Sequence, residues 1–179
     1  MSLLARVSEQ LLAHRIEHAV IGAAALAVHG VARATADLDL LATDRRCLEE
    51  ATWEGLRAAS AVVGIRIGDE SDPLAGVARF TAKDEAPIDL IVGRTGWQTE
   101  VLRRAEPAQI IDVTIPVACA PDLVLLKLYA GGPQDAWDVD QLLDVDETIA
   151  AEVERRIAPL PPESVDLWRR IRRQREEAR

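Results

Sequence analysis

The chain has 179 residues, 49% of them apolar but only 3% aromatic, and a net charge of −9 with an isoelectric point near 4.9. That length supports one sizeable core, built here from Ala, Leu, Val and Ile, with room for a small helical lobe. The acidic balance argues against general, salt-driven binding to nucleic acid, and no apolar run approaches the roughly 20 residues of a membrane span.

Residues 3–15 predict an amphipathic helix carrying Leu4, Leu11 and Leu12. The opening Met1–Arg6 lacks the long apolar region of a signal peptide. Cys47 and Cys119 have no ligand-like spacing and read as reduced thiols, so a cytoplasmic protein is expected. The histidines His14, His18 and His29 make no metal motif.

Residues 19–22 read as a short strand ending at Gly22. Residues 23–29 read as an Ala-rich helix, stopped by Gly30, which suits the left-handed conformation after a helix. The chain crosses residues 31–36 and enters the strand Asp37-Leu38-Asp39-Leu40-Leu41. Residues i and i+2 of a strand share a side, so Asp37 and Asp39 project together while the leucines supply apolar surface. Two carboxylates that close repel unless a cation lies between them. Magnesium is the natural guest, being hard and partial to carboxylate and phosphate oxygens. The plainer alternative is the wet face of an edge strand.

Residues 45–61 predict a long helix containing Trp53 and Leu56. Strands are expected over 62–67 and 77–82, around a loop at 68–73. Residues 86–92 form a further strand in which Asp89 is the lone charge. Asp89 is a candidate third ligand, a solvent-facing residue or the partner of a nearby arginine; Asp84 and Glu85 lie in a turn and are weaker candidates. A helix is predicted near 97–104, and one or two short strands around Pro116 within 110–120.

From Pro121 onward every segment reads helical. Lys127 is the single cation on an otherwise apolar helix, a place where lysines usually snorkel to the surface. Gly131-Gly132-Pro133 ends that helix, and Asp135 and Asp138 follow. The tail from Trp168 to Arg175 is strongly basic. Its arginines are expected to pair with Glu163, Asp166, Glu176 or Glu177, or to form a patch for RNA or an acidic partner. Strands followed by helices predict an α+β fold: a mixed β-sheet flanked by helices over residues 1–116, then a helical C-terminal lobe over 117–179.

Gly22-Ala23, His29-Gly30, Arg33, Thr35 and Asp37-x-Asp39 together resemble the opening motif of the polymerase-β-type nucleotidyltransferase superfamily. They are most similar to its minimal AbiEii-like branch, found in bacterial toxin–antitoxin and phage-defence systems. That branch usually has Gly-Gly or Gly-Ser at the turn; Ala23 departs from this and offers phosphate a backbone N–H but no hydroxyl. The resemblance spans roughly residues 18–145. It implies a nucleotidyltransferase-type sheet and transfer of a nucleoside monophosphate from a nucleoside triphosphate, with release of pyrophosphate. It implies that Asp37, Asp39 and Asp89 bind one or two magnesium ions. Gly22, Ala23, Arg33 and Lys127 would contact the nucleotide, and Asp135, with Asp138 second to it, would supply the final acid. The implied acceptor is the 3′ end of a transfer RNA or a hydroxyl on a cognate toxin or antitoxin protein. A small molecule such as an aminoglycoside, and a non-catalytic antitoxin-like binding module, stand as alternatives.

Overall fold

In the computed structural model, which describes residues 1–178, the chain opens with helix α1 (Leu3–Ala13). The Ser2 hydroxyl caps α1 by accepting the Ala5 amide, and Leu3, Leu4, Val7 and Leu11 are buried. There follow β1 (His18–Ile21), α2 (Gly22–Val28), β2 (Leu38–Ala42), α3 (Glu54–Ala58), β3 (Val62–Ile67), β4 (Gly76–Thr81), β5 (Ile88–Val92), α4 (Gly96–Arg103), β6 (Glu106–Ile110) and β7 (Val113–Val117). The strands form one mixed sheet in the order β3-β4-β5-β2-β1-β7-β6. β2 runs parallel to β5 and β1 parallel to β7, and the other neighbours are antiparallel. The Asp strand β2 therefore lies mid-sheet and is no edge strand.

One face of this sheet builds the core. Leu40, Ala78, Phe80, Ile88, Leu90 and Val92 are all fully buried. Trp53 meets Phe80 edge-on with ring centroids 4.6 Å apart, a favoured aromatic geometry. Its indole N–H donates to the Cys47 carbonyl at 2.9 Å.

The predicted long helix over 45–61 is not present. Two 3-10 turns, Arg45–Leu48 and Glu50–Trp53, precede the five-residue α3. The break falls at Glu49, which is extended at φ −99° and ψ 131°. Side chains compete with the helical ladder here. The Asp44 carboxylate accepts the Arg46 amide at 2.9 Å, and the Thr52 hydroxyl donates to the Arg46 carbonyl at 2.7 Å. A second difference is β6, which begins at Glu106, earlier than the strand expected from Ile110. Pro107 lies opposite Pro116 in the β6–β7 pair, and β6 is an edge strand, where prolines are tolerated.

Two compact units result: residues 1–25 with 33–118, and residues 26–32 with the chain from 119 onward. The second contains α5 (Ala120–Ala130), α6 (Pro133–Val145), α7 (Ile149–Arg156) and α8 (Pro162–Glu177). Helix α5 buries Leu123, Val124, Leu125 and Leu128 and stops at Gly131, whose φ of +71° is the left-handed cap a glycine supplies. Of the basic tail, Arg169 pairs with its neighbour Asp166 as expected, but Arg172 and Arg175 do not use the flanking acids. Arg172 reaches Glu147, and Arg175 reaches Asp140, Asp144 and Glu147. Among the described residues no helix is long and apolar enough to cross a membrane.

Candidate active site

The antiparallel register of β1 and β2 sets Ile21 opposite Asp39. The chain then turns at Gly22, with φ +64°, directly against the Asp39 side chain. A Cβ on Gly22 would stand 2.0 Å from Asp39 Oδ2. Both the left-handed backbone and the close approach therefore require glycine here. Ala23 begins the buried side of α2.

On its other side β2 runs parallel to β5, with Asp39 level with Asp89. The next pairing sets Asp89 level with Arg79 of β4, and the next sets Arg79 level with Gly64 of β3. Level residues share a face. Gly64, Arg79, Asp89 and Asp39 thus form a row across four strands, on the face opposite the apolar core. Asp37 precedes β2, two residues from Asp39, and points to the same side. Its amide donates to the Thr35 hydroxyl oxygen at 3.3 Å, and the Thr35 hydroxyl donates to the Asp37 carbonyl at 2.9 Å.

Arg79 ties the acids together. Its Nη1 donates to Asp89 Oδ2 at 2.6 Å and its Nη2 to Asp37 Oδ2 at 3.3 Å. The Asp89 side chain is mostly buried, and its Oδ1 is shielded from solvent without a hydrogen-bond partner. A cleft of about 530 Å³ opens over the row, lined by Asp39, Asp89, Arg79 and Gly64 with Val77 and Ile91 as apolar floor. Sequence reasoning allowed Asp89 an arginine partner but did not single out Arg79. The available signal was its place on a strand of otherwise small or apolar residues, but naming it required the register of β4 against β5.

The donor set suits magnesium. Asp37, Asp39 and Asp89 are hard oxygen donors on one face, and Asp89 Oδ1 has an acceptor position that no protein donor fills. As the side chains stand, no group of three or more His, Cys, Asp and Glu among the described residues is gathered so as to hold a metal ion. Arg79 engages two of the three aspartates, and Asp39 lies against Gly22. The chemistry of these donors fits the ion, while their present arrangement does not gather them around one point.

Arg33 lies half-buried in the segment leading to β2. The remaining candidates belong to the helical unit, where Lys127 and Asp135 come together. Lys127 Nζ lies 3.0 Å from Asp135 Oδ1 and 2.7 Å from Asp138 Oδ2, and Asp138 is wholly buried. Asp135 Oδ2 also accepts the Gly132 amide at 3.1 Å, closing the start of α6. Lys127 is thus no snorkelling surface residue. A second buried acid, Asp122, is held by Arg156 at 3.3 Å and by the Cys119 thiol, which donates at 3.0 Å. Burial, with the neighbouring Asp122, raises the Cys119 thiol above its ordinary value.

No protein-family model matches the sequence, and no curated protein matches it. Solved structures do match in fold. One is a proposed nucleotidyltransferase, TM1012 of Thermotoga maritima, at 15% identity and a TM-score of 0.53, covering 79% of this chain and 91% of that one. Another is ANT(2")-Ia in complex with adenylyl-2"-tobramycin, at 15% identity and a TM-score of 0.54, covering 87% of this chain and 93% of that one.

Proposed function

We propose that this chain, which has the nucleotidyltransferase-type α+β fold, is a magnesium-dependent nucleotidyltransferase. The observation that carries the reading is the meeting of Asp37, Asp39 and Asp89 on one open sheet face, with Gly22 packed against Asp39. Asp37, Asp39 and Asp89 would hold the ion, which when bound offsets the charge of the phosphates and of the leaving pyrophosphate. In this reading the backbone N–H groups of Gly22 and Ala23 contact the phosphates of a nucleotide bound beside Asp39. An acceptor hydroxyl attacks the α-phosphorus, and the bond from that phosphorus to the β-phosphate's bridging oxygen breaks. Asp89 takes the hydroxyl proton. The products are a phosphodiester on the acceptor and pyrophosphate.

In this reading the acceptor is a transfer-RNA 3′ end or a hydroxyl on a cognate toxin or antitoxin protein, as the AbiEii-like resemblance of the opening motif implies. A second reading, a small-molecule acceptor, is favoured by the fold likeness to ANT(2")-Ia, whose structure contains adenylyl-2"-tobramycin.

The test is incubation with magnesium, each α-labelled nucleoside triphosphate and a bacterial extract or tobramycin, beside Asp39→Asn and Asp89→Asn. Label in small RNA, in a protein band or in tobramycin, lost in both variants, supports transfer and identifies the acceptor. Label that persists in Asp39→Asn removes the assignment. Absence of label everywhere, with no magnesium-dependent nucleotide binding, leaves the fold as a binding module.

A further inference from the structure

Arg79 stands where a nucleotidyltransferase of this kind would need a metal. Strand register places it there, since β4 sets Arg79 level with Asp89 on one side and with Gly64 on the other. Its guanidinium spans Asp89 Oδ2 at 2.6 Å and Asp37 Oδ2 at 3.3 Å, so one cation serves two of the three carboxylates. A divalent ion on the same oxygens would meet a like charge at contact distance, which is strongly unfavourable. The two cations are therefore alternatives.

Two features fit an arginine that can leave. The Arg79 side chain is 48% exposed, so its charge keeps much of its hydration on moving. Beside it, Gly64 creates space. A Cβ at Gly64 would meet nothing within 4 Å, and its φ is not in the left-handed range, so the backbone does not require glycine there. Glycine inside a strand ordinarily weakens it; here it leaves the floor of the 530 Å³ cleft open next to Arg79. Meanwhile Asp89 Oδ1, buried and without a donor, is an acceptor that Arg79 does not satisfy.

We infer that Arg79 is a displaceable counter-cation. It competes with the divalent ion for Asp37 and Asp89, and on displacement it swings over Gly64 into the cleft, where its charge faces incoming substrate. This rests on the nucleotidyltransferase reading, and it gives that site a threshold: the metal must outbid an internal guanidinium.

The test uses the full chain, stripped with EDTA and without nucleotide. Manganese binding is measured from the electron paramagnetic resonance of the free ion, and folding is followed by thermal melting. Arg79→Gln removes the competitor and should bind manganese about tenfold more tightly than the parent, the order expected from deleting one neighbouring charge. Its metal-free melting temperature should fall, and manganese should raise it by more than it raises the parent's. Gly64→Val fills the space while keeping the Arg79–Asp89 pair, and should weaken manganese binding about threefold. An Arg79→Gln variant that folds and binds manganese no more tightly overturns the competition. Unchanged binding in Gly64→Val overturns the swing over Gly64. If no variant binds manganese although all are folded, the metal site and the proposed reaction fall together with this inference. Asp39-dependent transfer, with no tightening in Arg79→Gln, refutes this inference alone.

Discussion

Replacing Lys127 by methionine should damage the fold. The side chain is 13% exposed and its ammonium lies 2.7 Å from Asp138, a carboxylate with no exposed surface. Methionine keeps the length and the apolar stem but takes the ammonium away from the buried Asp138 carboxylate. Breaking one partner out of a buried pair costs about 3–5 kcal/mol, because the remaining charge is stranded in low dielectric. Asp135, one-fifth exposed, can rehydrate and adds little. For a chain of this size each kcal/mol moves the midpoint by about 2–4 °C, so Lys127→Met should melt about 6–20 °C lower by scanning calorimetry. The double variant Lys127→Met/Asp138→Leu removes both charges and should recover most of that loss. A single variant melting within about 2 °C of the parent would refute the reasoning. It would mean that Asp138 does not need the ammonium and that Lys127 is available to another partner.

Gly22→Ala should cost about 1–3 kcal/mol in urea unfolding, from the left-handed backbone together with a Cβ driven into Asp39, and should weaken magnesium-dependent nucleotide binding; an unchanged variant would show that the close approach is immaterial. His18 is buried, with Nε2 3.0 Å from the Ser8 hydroxyl and Nδ1 3.0 Å from the Ile16 carbonyl, and burial lowers its pKa below the ordinary 6.5. The unfolded chain therefore binds the extra proton first as pH falls, so the stability contributed by neutral His18 is complete above about pH 6.5 and declines below it. His18→Gln should flatten the dependence of unfolding free energy on pH between about 5 and 6.5; an identical slope would exclude His18 as its source. The Cys47 thiol is pushed up to about 12, chiefly by burial, so it should resist iodoacetamide at pH 8 in the native protein and react in denaturant, as read by mass spectrometry.

Much of the fold was legible from periodicity. Alternating leucines identified β2, the Ala-rich run before Gly30 identified α2, and glycine with proline after Ala130 ended α5. The segment at 45–61 was misread because helical propensity cannot register the Thr52 hydroxyl and Asp44 carboxylate binding the backbone of Arg46. For the tail arginines, local spacing offers only the acids within a few positions or a patch for RNA or an acidic partner. Arg175 instead takes Asp140 and Asp144, 35 and 31 residues away, which only helix packing supplies.

By itself the sequence determined which side chains face one way, because pleat and helix pitch are local properties of the backbone. Asp37 and Asp39 share a side in any strand, and Gly22 is suited to a tight turn wherever the turn leads. What meets those side chains was decided by strand order and register. β5 lies beside β2 with Asp89 level with Asp39, and β4 brings Arg79 between Asp89 and Asp37. Register is set by burying the core face of every strand at once. A charge balance across three strands is therefore a property of the closed sheet and of no single segment.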